Sequence, residues 1–476
     1  MNFDFSLLTT ELALFVLGLS TFVLGLVVPS ASRRGLGSFA ALGLLLVLGI
    51  AVINWSNQGV LLNGMYLVDG YANFFKVMFI LSAILVILGS FRYIDQHVGH
   101  HFEYYSTVVF ATLGMVVMAS AGDFITLYLG MELMTISFII LVAFRFMDTK
   151  SLEAGMKYLL LAAMSSAVTL YGLSLVYGAT GTIIIGEVAE AVARGGNSPL
   201  LVIGLTMLVA GLGFKVAAVP FHMWSPDVYE GAPTPVTSFL AVGSKAASFA
   251  ILLRLFLGGL GDLHGQWAML VAVLAALSML VGNLVAIPQT NIKRMLAYSS
   301  IAQAGYILVG LVAATEAGVK GVMFYAFLYI FATVGAFTVV AAVYNKIKSD
   351  EIADYAGLVQ RAPLAATVML ICLLSMAGIP PLAGFVGKFY LFQTVVQGYM
   401  WLVYLGLIMS MVSVYYYLRV VLVMFRDDPK DPSPIEFGSA ANMTLIIAMV
   451  ITLVLGIYPG PLAEVANTAA QTFFLR

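Results

Sequence analysis

Charged residues are scarce in this sequence. Asp, Glu, Lys and Arg make up only 9% of its 476 residues, whereas hydrophobic residues make up 62%. Soluble domains contain roughly 25% charged residues, so the composition excludes an ordinary soluble domain. The net charge of −1 provides no basic surface for nucleic acid, and we expect no such partner. The single cysteine, Cys372, excludes a disulfide framework and an all-cysteine metal or iron–sulfur site.

Long apolar segments fill most of the chain instead. They predict an all-α polytopic membrane protein with about fourteen transmembrane helices, because each segment reaches the length that crosses a bilayer. The predicted spans lie at 7–28, 36–54, 72–91, 104–121, 123–143, 156–177, 200–230, 235–257, 267–287, 294–314, 320–344, 363–398, 402–425 and 443–462. No basic segment precedes the first span, which is longer than a signal-peptide core, so we expect it to be retained.

The loops between these spans differ in their basic residues. One set of alternate loops contains Arg33, Arg34, Arg92, Arg145, Lys150, Lys293, Arg294, Lys346, Lys348, Arg361, Arg426 and Lys430, and the other contains Arg194, Lys320 and Arg476. Basic loops stay in the cytoplasm, so both termini should lie on the opposite side. We interpret Lys293 and Arg294 as orientation charges. Three basic residues near span ends should reach the membrane interface: Lys76, Arg254 and Arg419.

Five ionisable residues remain inside the predicted spans, namely Glu132, Lys157, Lys215, Lys245 and Lys388. A charge at the bilayer centre costs roughly 2.5–3.5 kcal/mol on insertion scales, so such residues pair with one another or line a path for ions. A lysine removed from water gives up its proton more readily, which suits a proton relay. Glu132 near Lys215 would oppose this and keep that lysine charged. The pattern therefore predicts an ion route through the membrane.

Two predicted spans, 200–230 and 363–398, are too long for one crossing. The second would reach about 54 Å as one helix, against a hydrocarbon core of about 30 Å. Pro220 interrupts the first, and Gly378, Pro380 and Pro381 interrupt the second. Interrupted helices in corresponding positions mark the ion sites of transporters built from inverted repeats. We therefore expect two inverted five-helix repeats, at 104–257 and 267–426, with an N-terminal segment at 1–103 and a C-terminal helix within 427–476.

Three motifs carry a resemblance to a known family. GFKVAAVPFHMWSPDVYEGAPTPVTSFLAVGSKAA, NIKRMLAYSSIAQAGY and LSMAGIPPLAGFVGKFYLF resemble the antiporter-like subunits of respiratory complex I, the type I NADH:quinone oxidoreductase. Among its three paralogues the chain resembles the bacterial N type. Lys245 stands where the L type usually has His, Lys388 stands where the M type has Glu, and no lateral helix follows the last span.

The resemblance implies a role for each buried charge. Glu132 and Lys215 match the pair of the first half-channel, Lys245 the central lysine, Lys388 the exit lysine and Lys157 an accessory lysine. It further implies that this chain holds no cofactor, and that NADH, FMN, iron–sulfur clusters and quinone bind to partner subunits. The expected partners are other membrane-arm subunits, especially the M-type paralogue and small membrane subunits, together with lipids. The expected location is the bacterial cytoplasmic (inner) membrane.

Other interpretations stay open at this stage. The same motifs occur in multisubunit cation/proton antiporters and in ion-pumping hydrogenase complexes, and a static membrane scaffold would use the charges only as structural pairs. His222, just after the first break, is either a proton shuttle or a cap for freed carbonyls. The cluster of Asp95, His97, His100, His101 and Glu103 has irregular spacing, and we expect a solvated loop there with no metal site.

Overall fold

The structure is a computed structural model that describes residues 4–29, 32–195 and 198–474. Arg476, counted above among the basic residues, lies outside these ranges. The described helices are α1 (Thr9–Val27), α2 (Gly35–Ile53), α3 (Gly70–His97), α4 (His101–Ala119), α5 (Phe124–Val142), α6 (Thr149–Thr180), α7 (Ile185–Gly195), α8 (Pro199–Lys215), α9 (Trp224–Gly231), α10 (Thr234–Phe239), α11 (Lys245–Gly258), α12 (His264–Ala286), α13 (Ile292–Ala313), α14 (Glu316–Ile347), α15 (Leu358–Arg361), α16 (Pro363–Ala377), α17 (Ala383–Phe392), α18 (Met400–Arg426), α19 (Ser439–Ile457) and α20 (Gly460–Phe474). A short hairpin of β1 (Gly59–Leu61) and β2 (Tyr66–Val68) is the one sheet among the described residues.

The predicted all-α membrane class is confirmed. Within the described residues, 12 helices are long and apolar enough to cross a membrane. One of them, Thr234–Gly258, joins α10 to α11 through a π-helical segment, Leu240–Ser244. The two overlong predicted spans are not among the 12, because each of them is divided.

Both predicted helix breaks are present. In the first, α8 ends at Lys215 and α9 begins only at Trp224, after a segment in which Ala217 has a φ of 56°. In the second, α16 ends at Ala377, Gly378 follows with a φ of 87°, and α17 begins at Ala383. Side chains satisfy some of the backbone groups that each break frees: the Trp224 indole donates to the Phe214 carbonyl at 2.9 Å. Such groups at membrane depth must find partners inside the protein.

The expectation that three basic residues would reach the interface is wrong for two of them, Lys76 and Arg254, whereas Arg419 is half-buried near the end of a span. Lys76 is 2% exposed, and its ammonium lies 2.7 Å from the Glu11 carboxylate. Arg254 is also buried and forms a two-pronged ion pair with Asp69, at 2.7 and 3.2 Å. Arg419 donates to the Ile287 and Gln289 carbonyls beyond the end of α12. All three side chains therefore have hydrogen-bond partners within the protein.

Several short described elements have no counterpart in the predicted spans, among them α7, α15, the β1–β2 hairpin and α20. The β1–β2 hairpin pairs Gly59 with Val68 and covers the end of the bundle where Tyr66 donates to Glu11 at 2.6 Å. Helix α20 packs against α3 and α14, with the Thr472 hydroxyl accepting from the Tyr71 backbone at 3.2 Å. Neither element is long enough to span a bilayer, which is why a search for long apolar segments misses them.

Candidate functional site

Glu132 and Lys215 lie on neighbouring helices and are joined by a serine. The Lys215 ammonium, which is 2% exposed, donates to the Thr135 hydroxyl at 2.8 Å and lies 3.5 Å from the Ser166 hydroxyl. Ser166 in turn donates to the half-buried Glu132 carboxylate at 2.6 Å. The predicted proximity is therefore real, but Ser166 of α6 stands between the two charges. A hydroxyl both donates and accepts, so this arrangement can pass a proton without direct contact.

Lys245 sits directly after the π-helical segment of its span. The residue is 3% exposed, and its ammonium donates to the Ser300 carbonyl at 2.7 Å and to the Ser300 hydroxyl. The Tyr229 hydroxyl lies 3.3 Å from the same serine oxygen, and the ammonium is 5.9 Å from the Tyr229 ring centre. π-Helical turns within α-helices are frequent at functional sites. No acidic side chain forms an ion pair with Lys245 among the described residues.

Lys388 lies beside the second break, and carbonyl groups at the break accept hydrogen bonds from its ammonium. Its ammonium donates to the Met376 and Ala377 carbonyls at 3.0 and 2.9 Å, and to the Ser410 hydroxyl at 2.7 Å. Both carbonyls belong to the last turn of α16, whose helical hydrogen bonds end at Gly378. The Tyr306 ring centre lies 4.4 Å from the ammonium. A cavity of about 560 Å³ between α17 and α18 reaches Lys388 and Ser410 from the lipid-facing side.

A chain of polar groups on α13, α16 and α18 lies between Lys245 and Lys388. From the Lys245 end its members are Ser300, Ser299, Tyr417, Gln303 and the Met376 carbonyl. Ser300 and Ser299 are consecutive residues of α13 whose side chains form no hydrogen bond with each other among the described residues, so a water molecule or a side-chain movement must complete this step. The Ser299 and Tyr417 hydroxyls are hydrogen-bonded. The Gln303 amide lies 3.4 Å from the Tyr417 hydroxyl and donates to the Met376 carbonyl at 2.9 Å. That carbonyl also binds Lys388, so the chain reaches both lysines.

Two predicted site residues lie apart from the row formed by Glu132, Lys215, Lys245 and Lys388. The Lys157 side chain is 42% exposed and pairs with Glu153 at 2.7 Å and with Asp227 at 2.8 Å, at the rim of an open cavity. Solvent and two carboxylates therefore surround it, and it has no part in the buried chain. His222 is half-buried within the first break, and its Nδ1 atom has no hydrogen-bond partner among the described residues.

The histidine cluster near residue 100 forms no metal site in the described part of the chain. His101 lies 2.8 Å from Asp95, and His100 lies 3.4 Å from Glu103. His97 points elsewhere and contacts the Asn345 side chain at 3.0 Å. These side chains therefore do not converge. The expected loop is much shorter than predicted, because Asp95 and His97 belong to the end of α3 and His101 and Glu103 to the start of α4.

Gly378 is required by both its backbone conformation and its contact with Lys388. A Cβ atom at this position would lie 3.0 Å from Lys388 Cδ and 3.2 Å from its Nζ, at a φ that L residues rarely adopt. We expect Gly378→Ala to displace the ammonium from the α16 carbonyls and to cost about 1–3 kcal/mol of backbone strain. Turnover of the assembled protein should fall severalfold, whereas Gly398→Ala, also at positive φ but with open space around it, should leave turnover unchanged.

Sequence reasoning found the four buried charges but not the groups that connect them. Ser166, Ser300, Gln303 and Tyr417 are ordinary residues of apolar helices, and only tertiary contacts give them a role. A sequence signal exists for some of them, since Ser300 and Gln303 lie three residues apart on one face of α13. The sequence alone, however, does not show which helices pack against this face of α13, so it cannot assign the two residues a role.

Comparisons with known proteins agree with this arrangement. A family model described as NADH:quinone oxidoreductase/Mrp antiporter, TM, matches residues 121–414, which is more than half of the chain and contains the whole row from Glu132 to Lys388. The chain is 80% identical to NADH-quinone oxidoreductase subunit N of Desulforamulus reducens, over 100% of both chains. It is 34% identical to a chain of respiratory complex I from Thermus thermophilus, with a TM-score of 0.82 over 97% of this chain and 100% of that one. A chain of the Mrp complex from Dietzia sp. has a TM-score of 0.89 over 99% and 98% at 20% identity, a likeness of fold alone.

Proposed function

Because the chain belongs to the family of antiporter-like N subunits of NADH-quinone oxidoreductase, we propose that it carries protons across the membrane through Glu132, Lys215, Lys245 and Lys388. Protons enter from the cytoplasm toward Lys215 and Lys245, pass along the bundle to Lys388, and leave on the opposite side. Redox chemistry in partner subunits drives this movement. The observation that carries the proposal is the polar chain from Lys245 to Lys388, because it joins two buried lysines that lack acidic partners among the described residues.

Glu132 regulates the first lysine through its charge. A carboxylate near an ammonium favours the charged form of the lysine, and the effect is strong where water is scarce. Ser166 lies between the two groups, so a shift of Glu132 or its protonation breaks the link without a large movement. Lys215 then releases its proton toward the interior. An electrostatic change at the exposed side of Glu132 thus controls whether Lys215 holds or gives up a proton.

Replacement of either member of this pair tests the proposal. We expect Lys215→Met and Glu132→Gln, within the assembled complex, to lower NADH-driven acidification of inside-out vesicles by about 10²-fold, the scale expected for loss of a positioned proton-transfer group. The complex should still assemble, because Glu132 and Lys215 make no direct ion pair: the half-buried Glu132 keeps its bond from Ser166 in Lys215→Met, and the amide oxygen of Glu132→Gln can accept from the same serine. Lys430→Met, at a side chain that is 81% exposed, serves as the control. Full acidification by both variants would refute the proposal and favour a static scaffold.

The proposed location is the bacterial cytoplasmic (inner) membrane, with both termini on the non-cytoplasmic side. Contacts between loops support this orientation. At one end of the bundle Arg92 donates to the Glu436 carbonyl and Lys348 contacts His97, so basic loops cluster there. Near the opposite end Lys76 pairs with Glu11 of α1. Thr472 of α20 contacts the start of α3 at that same opposite end. The first and last helices of the chain therefore both approach this end of the bundle.

The chain is a multi-pass subunit of a multisubunit respiratory complex, and its finer assignments complete the proposal. It holds no cofactor of its own, and NADH, FMN, iron–sulfur clusters and quinone bind to partner subunits. Its neighbours are the M-type paralogue and small membrane subunits. The two half-channels are the repeats at 104–257 and 267–426, each of which contains one broken span. His222 and Lys157 act as accessory groups near the first of them.

A cation/proton antiporter is the second candidate, because the matching family model includes Mrp antiporters and the fold is shared with one. An antiporter needs no redox partner. Sodium-dependent proton movement in vesicles that receive no NADH would favour it, whereas acidification that requires NADH favours the respiratory complex.

A further inference from the structure

A cavity lined by charged residues opens at the end of the bundle where the basic loops cluster. It has a volume of about 210 Å³ and is lined by Lys150, Glu153, Ala154, Lys157, Asp227, Glu230, Gly231 and Arg294. Arg294 binds Asp227 at 2.8 Å and Glu230 at 3.2 Å. Glu230 also lies 3.5 Å from the ammonium of the exposed Lys150. The cavity is open to solvent, and its carboxylates can collect protons there.

Two further charged residues lie directly behind this cavity. Lys293 is 3% exposed, and its ammonium donates to the Glu230 and Ala232 carbonyls, both at 2.7 Å. The Asp350 carboxylate approaches the same ammonium at 3.9 Å. Its second oxygen, Oδ1, is buried and has no hydrogen-bond partner among the described residues. Lys293 is thus more than an orientation charge, because α9 and the loop that carries Asp350 cover it.

The same helix leads from Lys293 to the residue that binds Lys245. Ser300 follows Lys293 by seven residues, which places both on one face of α13 about 10.5 Å apart along its axis. Beside that face runs α9, where Tyr229 approaches Ser300 at 3.3 Å and directly precedes Glu230. One turn before Tyr229, the buried Ser225 hydroxyl faces the same tyrosine. Polar groups thus lie between the open cavity and Ser300.

We propose that Lys293 and Asp350 form the cytoplasmic proton-loading site for Lys245, a role that rests on the proposed proton relay. A proton from water in the cavity binds the Asp350 carboxylate and neutralises it. Lys293, no longer held by that charge, releases one proton inward along the line to Ser300 and Lys245. The Asp350 carboxyl then returns its proton to Lys293, so each cycle moves one proton and restores both groups.

The surroundings of Asp350 fit this role. Burial raises the pKa of Asp350, and nearby Glu230 raises it further, whereas Lys293, Lys150 and Arg145 lower it. Tyr355 and Tyr93 are further titratable groups that interact with its charge. At a given pH, a carboxyl with a raised pKa is protonated more often than an exposed aspartate. Asp350 also lies 3.9 Å from the Lys293 ammonium, so it is placed to exchange protons with that lysine.

Asp350→Asn in the assembled complex tests this inference. The amide keeps the shape of the side chain but cannot take up a proton. We expect acidification of inside-out vesicles to be close to the wild-type rate in mildly acidic buffer and to fall about tenfold in alkaline buffer, the low end of the range for a lost proton-transfer group. Asp350→Glu should restore the wild-type pH profile. Asp354→Asn, four residues later in an exposed pair with Lys430, should not change the profile.

The outcomes separate this inference from the proposed relay. A wild-type rate for Asp350→Asn at every pH, beside an inactive Lys245→Met variant, would overturn the loading site alone. An equal loss at every pH that Asp350→Glu does not restore would also overturn it, because that result indicates a structural role. If Lys245→Met itself pumps at the wild-type rate, the proposed relay fails and the loading site with it.

Discussion

Lys245→Met is expected to abolish proton translocation while leaving the complex assembled. Lys245 is the only lysine of the row with a serine as its sole hydrogen-bond partner among the described residues. It also stands at the start of the polar chain that leads to Lys388. Methionine has a similar length and fills the same space, but it carries no proton. The NADH-driven acidification rate of inside-out vesicles should fall by about 10²-fold or more.

Folding should survive this change for a physical reason. The buried ammonium has no carboxylate partner within the described residues, so its removal leaves no opposite charge exposed to the apolar interior. Two acceptors, the Ser300 carbonyl and hydroxyl, lose this donor, but the hydroxyl keeps its contact with Tyr229. Lys346→Met, at an exposed lysine at the end of α14, controls for loss of positive charge. Equal acidification by the Lys245 and Lys346 variants would contradict the relay.

Arg254→Met is expected to have the largest effect on stability. Arg254 binds Asp69 through two hydrogen bonds, at 2.7 and 3.2 Å, and donates to the Ala119 carbonyl at 2.8 Å. Both partners of the pair are buried, and Asp69 also accepts from the Ala72 backbone at the start of α3. Methionine would leave the Asp69 carboxylate buried without its cation, which costs about 3–5 kcal/mol. The amount of this chain retained in the purified complex after heating should fall accordingly.

A double variant shows whether charge is the cause. Asp69→Asn removes the negative charge but keeps an oxygen that accepts from the Ala72 backbone. Asp69→Asn combined with Arg254→Met should therefore recover most of the lost stability, because no unpaired charge remains in the interior. If the double variant is as unstable as Arg254→Met alone, packing around Tyr71 and Phe473, which both contact the guanidinium, is the main contribution.

The positions of the buried charges were predictable because a bilayer makes them costly. Lys215, Lys245 and Lys388 stand out in apolar segments, and the Pro and Gly residues beside two of them predict the breaks that the structure contains. Both signals are local, since they require only a stretch of about one span. The same local signal does not show that Lys157 differs from these lysines, because the carboxylates and solvent within reach of its side chain are seen only in the structure.

Contacts between distant segments were not predictable from the sequence. Asp69 and Arg254 are 185 residues apart, and Lys76 is paired with a glutamate of α1. A glutamate near the start of a span looks like an interfacial residue until the β1–β2 hairpin covers it. Likewise, Ser166 and Gln303 gain their roles from helices that approach them across the bundle. The free-energy cost of a hydroxyl or amide group inside the membrane is too small to make such residues stand out in an apolar sequence.

The most direct test of the relay is the initial rate at which inside-out vesicles acidify on addition of NADH, measured for Lys245→Met and Lys388→Met beside the wild-type complex. These two lysines end the same polar chain. If the relay operates as proposed, both variants assemble, and vesicles that contain either one acidify near the background rate. A wild-type rate of acidification in either assembled variant would contradict it.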